Sequence, residues 1–279
     1  MHPGIPARLE KLRSRLAAGP VVMGIVNVTP DSFSDGGLFA SRDAALAHCA
    51  ALTAEGAHIL DIGGESTRPG HVPVTEAEEL ARVLPVLEAL APVNGPLISI
   101  DTSKAGVARR AMVLGAAIVN DVWGFQKDPR MAEAVAEGGA AAVLMHNRLT
   151  KDESIDIVAD MRAFFDVSLA LARRAGIADE RLMIDPGIGF GKTQAQNMQA
   201  FRAIRELRAA YGLPVLIGVS RKSFLLNFGA PSPAARLGAG IAASLAAAAL
   251  GAGVFRVHDV AAHVAALAAD AAFRRGALA

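Results

Sequence analysis

Eight apolar runs that each end on polar residues constrain the fold of this chain more than any other feature. The runs are, in chain order, VVMGIVNVTPD, HILDIGGEST, LISIDTSK, AIVNDVWG, AAVLMHN, LMIDPG, VLIGVSRK and VFRVHD. A strand buried on both faces reads as a nearly continuous run of Val, Ile and Leu, so amides and carboxylates are unexpected at its end. Burying such a group without a partner costs several kcal/mol.

The polar side chains at the ends of these runs indicate where a ligand binds. They are Asn27, Asp61, Asp101, Asn120, Asp121, His146, Asp185, Lys222, Arg256 and His258. A parallel barrel relieves the cost of burying them, because its strands all end at one open face where polar groups meet a ligand. The pattern therefore predicts a single ligand site built from most of the chain.

Helical segments alternate with the apolar runs. Thr75 and Glu78 have the spacing of a capping box, and Asp128-Pro129 and Ser232-Pro233 are typical helix starts. Apolar residues recur at helical spacing over residues 43–54, 76–91, 155–175, 193–211 and 232–250. Eight strand–helix units in 279 residues predict a single α/β domain, a TIM (β/α)8 barrel over residues 21–279, with an N-terminal extension at 1–20.

Composition narrows the classes of partner. The net charge is +1, with 28 basic and 27 acidic residues, which argues against a general nucleic-acid surface. Residues 237–255 carry no charge but are mostly Ala and Gly, so we expect a buried helix and a strand there and no membrane span. The single cysteine, Cys49, forms no internal disulfide, and the first residues lack an apolar signal segment, so we expect a cytoplasmic protein.

One tempting motif does not meet its own requirements. GFGKT, at residues 189–193, resembles the end of a phosphate-binding P-loop. That motif needs a glycine five residues before Gly191, and Pro186 stands there. A P-loop is therefore not predicted.

The remaining polar residues divide by charge. Asp61, Asp101, Asp185 and Asn120 present acceptors and one amide to a flat heterocycle that bears N–H and NH2 donors. Arg68, Lys222, Arg256 and His258 offer enough positive charge for a phosphorylated group. Any one aspartate could instead form a structural salt bridge or cap a helix.

Two long motifs resemble a known family. MGIVNVTPDSFSDGG at 23–37 and DIGGESTRPG at 61–70 are similar to the two signatures of the dihydropteroate synthases, and IDTSK, VND, LMH, DPGIGFGK, SRKS and RVHD follow in the family's order. The resemblance implies a TIM barrel that joins p-aminobenzoate to 6-hydroxymethyl-7,8-dihydropterin pyrophosphate, releasing pyrophosphate. It also implies Mg²⁺, a homodimer, and inhibition by sulfonamides, which imitate p-aminobenzoate.

The resemblance also implies roles for individual residues. Asp101, Asn120, Asp185 and Lys222 would bind the pterin. Asn27 would bind Mg²⁺ and approach the pyrophosphate. The remaining residues would reach the pyrophosphate or line the p-aminobenzoate pocket: Thr67, Arg68, Pro69, Phe190, Arg221, Ser223, Arg256 and His258. Asn27, Asp101, Lys222, Arg256 and His258 would form the catalytic set. Residues 147–150 (NRLT) depart from the family pattern, which has a glycine-containing turn there.

A leaving group as charged as pyrophosphate favours a dissociative substitution, in which the amine attacks a pterin carbocation and no protein nucleophile takes part. Three alternatives stay open from the residues. Lys222 could form a Schiff base, as lysines at barrel strand ends do in aldolases. The barrel could bind methyltetrahydrofolate and transfer its methyl group. It could also bind a pterin without turnover.

Overall fold

The structure is a computed structural model that describes residues 2–29, 37–66, 72–91, 95–228, 232 and 235–275. Eight parallel strands form its core. They are β1 (Val21–Asn27), β2 (Ile59–Gly63), β3 (Leu97–Asp101), β4 (Ile118–Asp121), β5 (Ala141–Met145), β6 (Leu182–Asp185), β7 (Leu216–Ile217) and β8 (Val254–Val257). Their order is β6-β5-β4-β3-β2-β1-β8-β7, and a parallel bridge between Ile184 and Val215 joins the two ends. Each strand lies in one of the eight apolar runs, so the predicted TIM barrel is confirmed.

Helices surround the strands. They are α1 (Ile5–Ala18), α2 (Gly37–Ala54), α3 (Glu76–Leu90), α4 (Ala105–Val113), α5 (Met131–Gly138), α6 (Ile157–Arg174), α7 (Gln194–Arg202), α8 (Ile204–Tyr211), α9 (Leu237–Leu250) and α10 (Val260–Arg275). The helix predicted over 193–211 is in fact two helices, because Ala203 ends α7 and begins α8. Among the described residues, no helix is long and apolar enough to cross a membrane.

Two of the three predicted helix starts need correction. Thr75 and Glu78 form the predicted capping box at the start of α3. Asp128 does not cap α5. Its carboxylate instead accepts hydrogen bonds from Arg130 N at 3.0 Å and from Ala105 N, in the first turn of α4, at 2.9 Å. Ser232 accepts a hydrogen bond from Ala235 N, but α9 begins only at Leu237. The sequence predicts that each of these side chains caps the helix that follows it. In the structure, Asp128 instead bonds to a neighbouring helix, and Ser232 bonds within a turn.

Inside the barrel, alternate residues of each strand point to the axis. The lower layer is apolar, with Val21, Met23, Ile59, Leu97 and Ile118 packed together, and Leu12 of α1 joins it from below. Helix α1 therefore covers the end of the barrel where the strands begin. The polar residues lie at the opposite end, where the strands finish, and this end is called the mouth below.

Candidate active site

Strand register brings the first part of the site together at the mouth. Asn27 at the end of β1 is paired with Gly63 on β2, Gly63 with Asp101 on β3, and Asp101 with Asn120 on β4. Gly63 has no side chain, and the Asp101 carboxylate lies 3.7 Å from the point where a Cβ of residue 63 would stand. Asn27 is half-buried, whereas Asp101 and Asn120 are buried.

Arg256 of β8 reaches past β1 to two carboxylates, one on β2 and one on β3. Its Nε donates to Asp61 Oδ2 at 2.6 Å, and its Nη2 donates to Asp101 Oδ2 at 2.6 Å. Asn120 Nδ2 donates to the same Asp61 oxygen at 3.1 Å, which leaves the amide oxygen of Asn120 as the group that can accept from a ligand. Asp61 thus fixes two of the predicted ligand-binding residues.

Each of the two carboxylates has one oxygen that could accept a hydrogen bond from a ligand. Asp61 Oδ1 and Asp101 Oδ1 are buried and accept no hydrogen bond from the described residues. Burial raises the pKa of Asp101 to about 7, although Arg256 opposes the rise. Burial also acts against the charge of Arg256, but Asp61 and Asp101 outweigh it and raise the pKa of the guanidinium, which stays charged. Buried unpaired acceptors usually mark a place for water or a ligand, and N–H donors would satisfy these.

Across the mouth, a third carboxylate, that of Asp185, lies close to a lysine. Asp185 Oδ1 accepts from Gly187 N at 2.7 Å, and burial raises the pKa of Asp185 although Lys222 opposes it. Burial lowers the pKa of Lys222 to about 8, with Asp185 acting in the other direction. The Lys222 ammonium donates to Ile188 O and lies 4.5 Å from the centre of the Phe190 ring. This wall offers an acceptor, a cation and an aromatic face.

The third part of the site follows β7 and β8. His258 is half-buried, and its Nδ1 lies 3.1 Å from Ser220 Oγ, which also accepts from His258 N at 3.2 Å. Arg221 has a positive φ of 59° and forms an ion pair with Asp259 through Nε at 3.1 Å. Ser223 is exposed at the start of the 3-10 helix Ser223–Phe228.

The structure removes two residues from the predicted single site. Asp121 faces away from the axis and accepts from Trp123 N at 2.9 Å and Phe125 N at 2.8 Å. His146 faces the helices, where its Nε2 lies 2.9 Å from Asp160 Oδ2, and burial lowers its pKa to about 3, so it is neutral. Strand alternation explains the error for Asp121, because it follows the inward-facing Asn120 directly.

Other predicted residues fall elsewhere or were missed. Thr67, Arg68 and Pro69 lie outside the described residues. Sequence reasoning missed Ser220 and Ser99, which have the same strand phase as the inward-facing polar residues and so could have been found by alternation. Ser99 is the register partner of Asp61, and its hydroxyl is buried without a hydrogen bond from the described residues.

A divalent cation fits this site only together with a phosphorylated ligand. In the described ranges, no group of three or more His, Cys, Asp or Glu side chains could hold a metal ion. Asn27 supplies one amide oxygen at the mouth. Mg²⁺ commonly takes one or two protein oxygens and completes its shell with substrate phosphates and water, so this donor set suits it.

Comparisons with known proteins agree with this geometry. A family model described as "Pterin binding enzyme" matches residues 23–258. The dihydropteroate synthase of Bacillus subtilis (strain 168) is 44% identical over 243 residues, covering 86% of this chain and 84% of that protein.

Two solved structures share the fold and much of the sequence. A dihydropteroate synthase from Clostridium difficile, determined in the presence of pteroic acid, has a TM-score of 0.89 and 42% identity, covering 92% of this chain and 97% of that one. The enzyme from Xanthomonas albilineans, determined with 4-aminobenzoic acid, has a TM-score of 0.87 and 46% identity, covering 92% and 93%.

Proposed function

Since this chain belongs to the dihydropteroate synthase family of pterin binding enzymes, we propose that it condenses 6-hydroxymethyl-7,8-dihydropterin pyrophosphate with p-aminobenzoate. The products are 7,8-dihydropteroate and pyrophosphate. The observation that carries the proposal is the division of the mouth into buried acceptors and cations. Asp101, Asn120 and Asp185 supply the acceptors, and Lys222, Arg256 and His258 supply the opposing cationic or hydrogen-bonding groups.

The acceptors suit the donor edge of a pterin. A carboxylate accepts two parallel N–H bonds from an amidine-like edge, and Asp185 is buried and anchored through one oxygen to Gly187 N. Asn120 offers its amide oxygen because Asp61 holds the amide nitrogen. Lys222 donates to a ring acceptor from the same wall, with Phe190 below its ammonium.

The chemistry proceeds by loss of pyrophosphate. As the C–O bond breaks, negative charge grows on the leaving group, and Arg256 and His258 stabilise it from one strand face. Positive charge spreads over the dihydropterin, close to the carboxylates of Asp101 and Asp185. The aromatic amine then attacks the exocyclic carbon, and the new C–N bond is completed when the nitrogen releases one proton to solvent. Mg²⁺ held by Asn27 and the phosphates would supply further charge neutralisation.

The structure weakens the alternatives that the residues left open. The Lys222 ammonium donates to Ile188 O and lies over the Phe190 ring, whereas a lysine that forms a Schiff base presents its amine to the substrate. A methyl-transferring barrel would not need Arg256 and His258, the groups that the proposal assigns to the departing pyrophosphate.

A coupled assay for pyrophosphate release tests the proposal. Release should require the pterin pyrophosphate, p-aminobenzoate and Mg²⁺ together. A pterin-binding protein without turnover would bind the pterin and release nothing, and that result would reject the proposed activity.

Replacing His258 with Ala should lower kcat by about 10²–10³-fold, the scale of a lost donor to a developing oxyanion. The KM for p-aminobenzoate should change much less, because the amine binds on the other side of the reacting carbon. Ser220→Ala is the matched control: it removes the hydroxyl beside His258 Nδ1 and should lower kcat in the same direction by a smaller factor. A destabilised His258→Ala protein with normal kcat would mean that His258 only packs in the barrel.

Pterin affinity should fall above pH 8, by about tenfold for each pH unit, since binding uses the charged form of Lys222, whose pKa is about 8. Stability should respond in the opposite direction. The pKa of Lys222 is lower in the folded protein than in the unfolded chain. The contribution of this group to the free energy of unfolding therefore rises as the pH increases above 8. Calorimetry at several pH values measures the affinity for pterin. Lys222→Met is the control, because any pH dependence of its affinity comes from the titration of the ligand and not from Lys222. Equal slopes for both proteins would contradict the role of Lys222.

We also propose the homodimer and the cytoplasmic location that the sequence predicts. Sedimentation velocity at micromolar concentration tests the first, and cell fractionation tests the second.

A further inference from the structure

Lys192, in the motif that fails as a P-loop, is buried and has no part in the proposed chemistry. Its ammonium donates to Gly187 O at 2.8 Å, to Phe190 O at 3.2 Å and, more weakly, to His146 O at 3.4 Å. Two of these carbonyls belong to the loop between β6 and α7, and the third lies just after β5. Burial lowers the pKa of Lys192 to about 7, although Asp185 acts in the other direction. A buried ammonium that donates to main-chain carbonyls fixes the path of the loop that carries those carbonyls.

Two further hydrogen bonds and one glycine also fix the conformation of this loop. Gly187 N donates to Asp185 Oδ1 and Gly189 N donates to Asn197 Oδ1, both at 2.7 Å. Gly187 has a φ of 65°, and a Cβ there would overlap the carbonyl oxygen of His146. The loop is therefore held at its start, middle and end.

This loop in turn supports the ligand-binding wall. Ile188 O accepts from the Lys222 ammonium, and the Phe190 ring lies below the same ammonium at 4.5 Å. Lys192 bonds to the carbonyls of Gly187 and Phe190, which flank this support on either side. A shift of the loop would therefore displace both the carbonyl that accepts from Lys222 and the Phe190 ring.

From this geometry we propose that Lys192 is a positioning residue for the condensation: it holds the loop at residues 186–191 so that Lys222 meets the pterin and Phe190 meets p-aminobenzoate. The inference rests on the proposed function. The competing explanation is that Lys192 only fills a buried polar space and contributes to stability.

Lys192→Met keeps the side-chain length and removes all three N–H donors, and it separates the two explanations. The pterin Kd and the KM for p-aminobenzoate should each rise about tenfold, the change that corresponds to the net loss of about one hydrogen bond. The kcat at saturation, per folded molecule, should change much less, because in the proposed chemistry Lys222 acts by binding the pterin, and the groups that stabilise the leaving pyrophosphate, Arg256 and His258, belong to β8 and the residues that follow it. Leu12→Ala is the control for lost stability, since Leu12 packs at the opposite end of the barrel. Unchanged Kd and KM in Lys192→Met, with only a lower Tm, would overturn the proposal.

A second pair of variants decides the question if Lys192→Met does not fold. Asn197→Leu removes both the acceptor for Gly189 N and the amide that donates to Lys192 O at 3.4 Å, whereas Asn197→Asp removes only the donor. The proposal expects the Leu variant to raise both constants and the Asp variant to restore them, and wild-type constants in both would overturn it. A wild-type protein that binds pterin but releases no pyrophosphate would reject the proposed function, whereas a fully competent Lys192→Met protein would reject only the role of Lys192.

Discussion

Replacing Arg256 with Met should lower the free energy of unfolding by about 3–5 kcal/mol at pH 8 and abolish turnover. This is the range for removing one partner of a buried ion pair. Arg256 bonds to both Asp61 Oδ2 and Asp101 Oδ2, at 2.6 Å each. Methionine fills much of the space but leaves two carboxylates buried in the barrel without their cation.

The deficit should shrink as the pH falls. Burial already raises the pKa of Asp101 to about 7 against the pull of Arg256, and losing the guanidinium raises it further. A carboxyl whose pKa is higher in the folded than in the unfolded state stabilises the fold below that pKa and loses this contribution as the pH rises through it. Denaturant unfolding at pH 5.5 and pH 8 should therefore show the smaller difference from wild type at pH 5.5.

Two further proteins sharpen this test. Arg256→Met combined with Asp101→Asn should recover part of the lost stability at pH 8, because one uncompensated charge is gone. Arg181→Met, at the opposite end of the barrel, removes a half-buried guanidinium that donates to Ala140 O at 3.3 Å, and it should show no such pH dependence. An Arg256→Met protein as stable as wild type at pH 8 would contradict the paired arrangement at the mouth.

The fold could be predicted because its signals are local. Each strand is a short apolar run of the kind that a two-sided buried strand requires, and the polar residue at its end marks the direction of the barrel. Asp61, Asp101, Asn120, Asp185 and Arg256 converge as predicted because every parallel strand ends at the same face. The helix boundaries could be predicted less well. The break at Ala203 divides the helix predicted over 193–211, and no Gly or Pro at that position indicates it in the sequence.

The pairing within the site could not be predicted from the sequence. Asp61 and Arg256 are 195 residues apart, and their contact depends on β2 and β8 lying on either side of β1 in the closed barrel. The sequence suggested Arg256 for the phosphate and the aspartates for the heterocycle. The structure shows that one guanidinium also holds two of the carboxylates in place. Lys192 was missed for a related reason, because its partners are main-chain carbonyls, which every residue has.

Substitution of Asp185 by Asn should weaken pterin binding by about 2–5 kcal/mol, a loss of roughly thirtyfold to several thousandfold in affinity. The amide oxygen of Asn can still accept from Gly187 N, the bond that Asp185 Oδ1 makes at 2.7 Å, so the loop should keep its path. The amide nitrogen of Asn then faces the N–H donors of the ligand. Donor meets donor at a position where the carboxylate of Asp185 accepts hydrogen bonds. Lys222 also loses the nearby negative charge that raises its pKa.

Asp121→Asn is the matched control for this result. Asp121 is likewise a buried aspartate at the end of a strand, and it accepts from two backbone N–H groups, but it faces the helices. Its replacement should lower the Tm and leave the affinity of the folded protein for pterin unchanged. Calorimetry with a simple pterin, on both variants at temperatures well below their Tm, compares them directly. Wild-type affinity in Asp185→Asn would remove Asp185 from the site, and a similar loss in both variants would show that the effect reflects stability and not contact with the ligand.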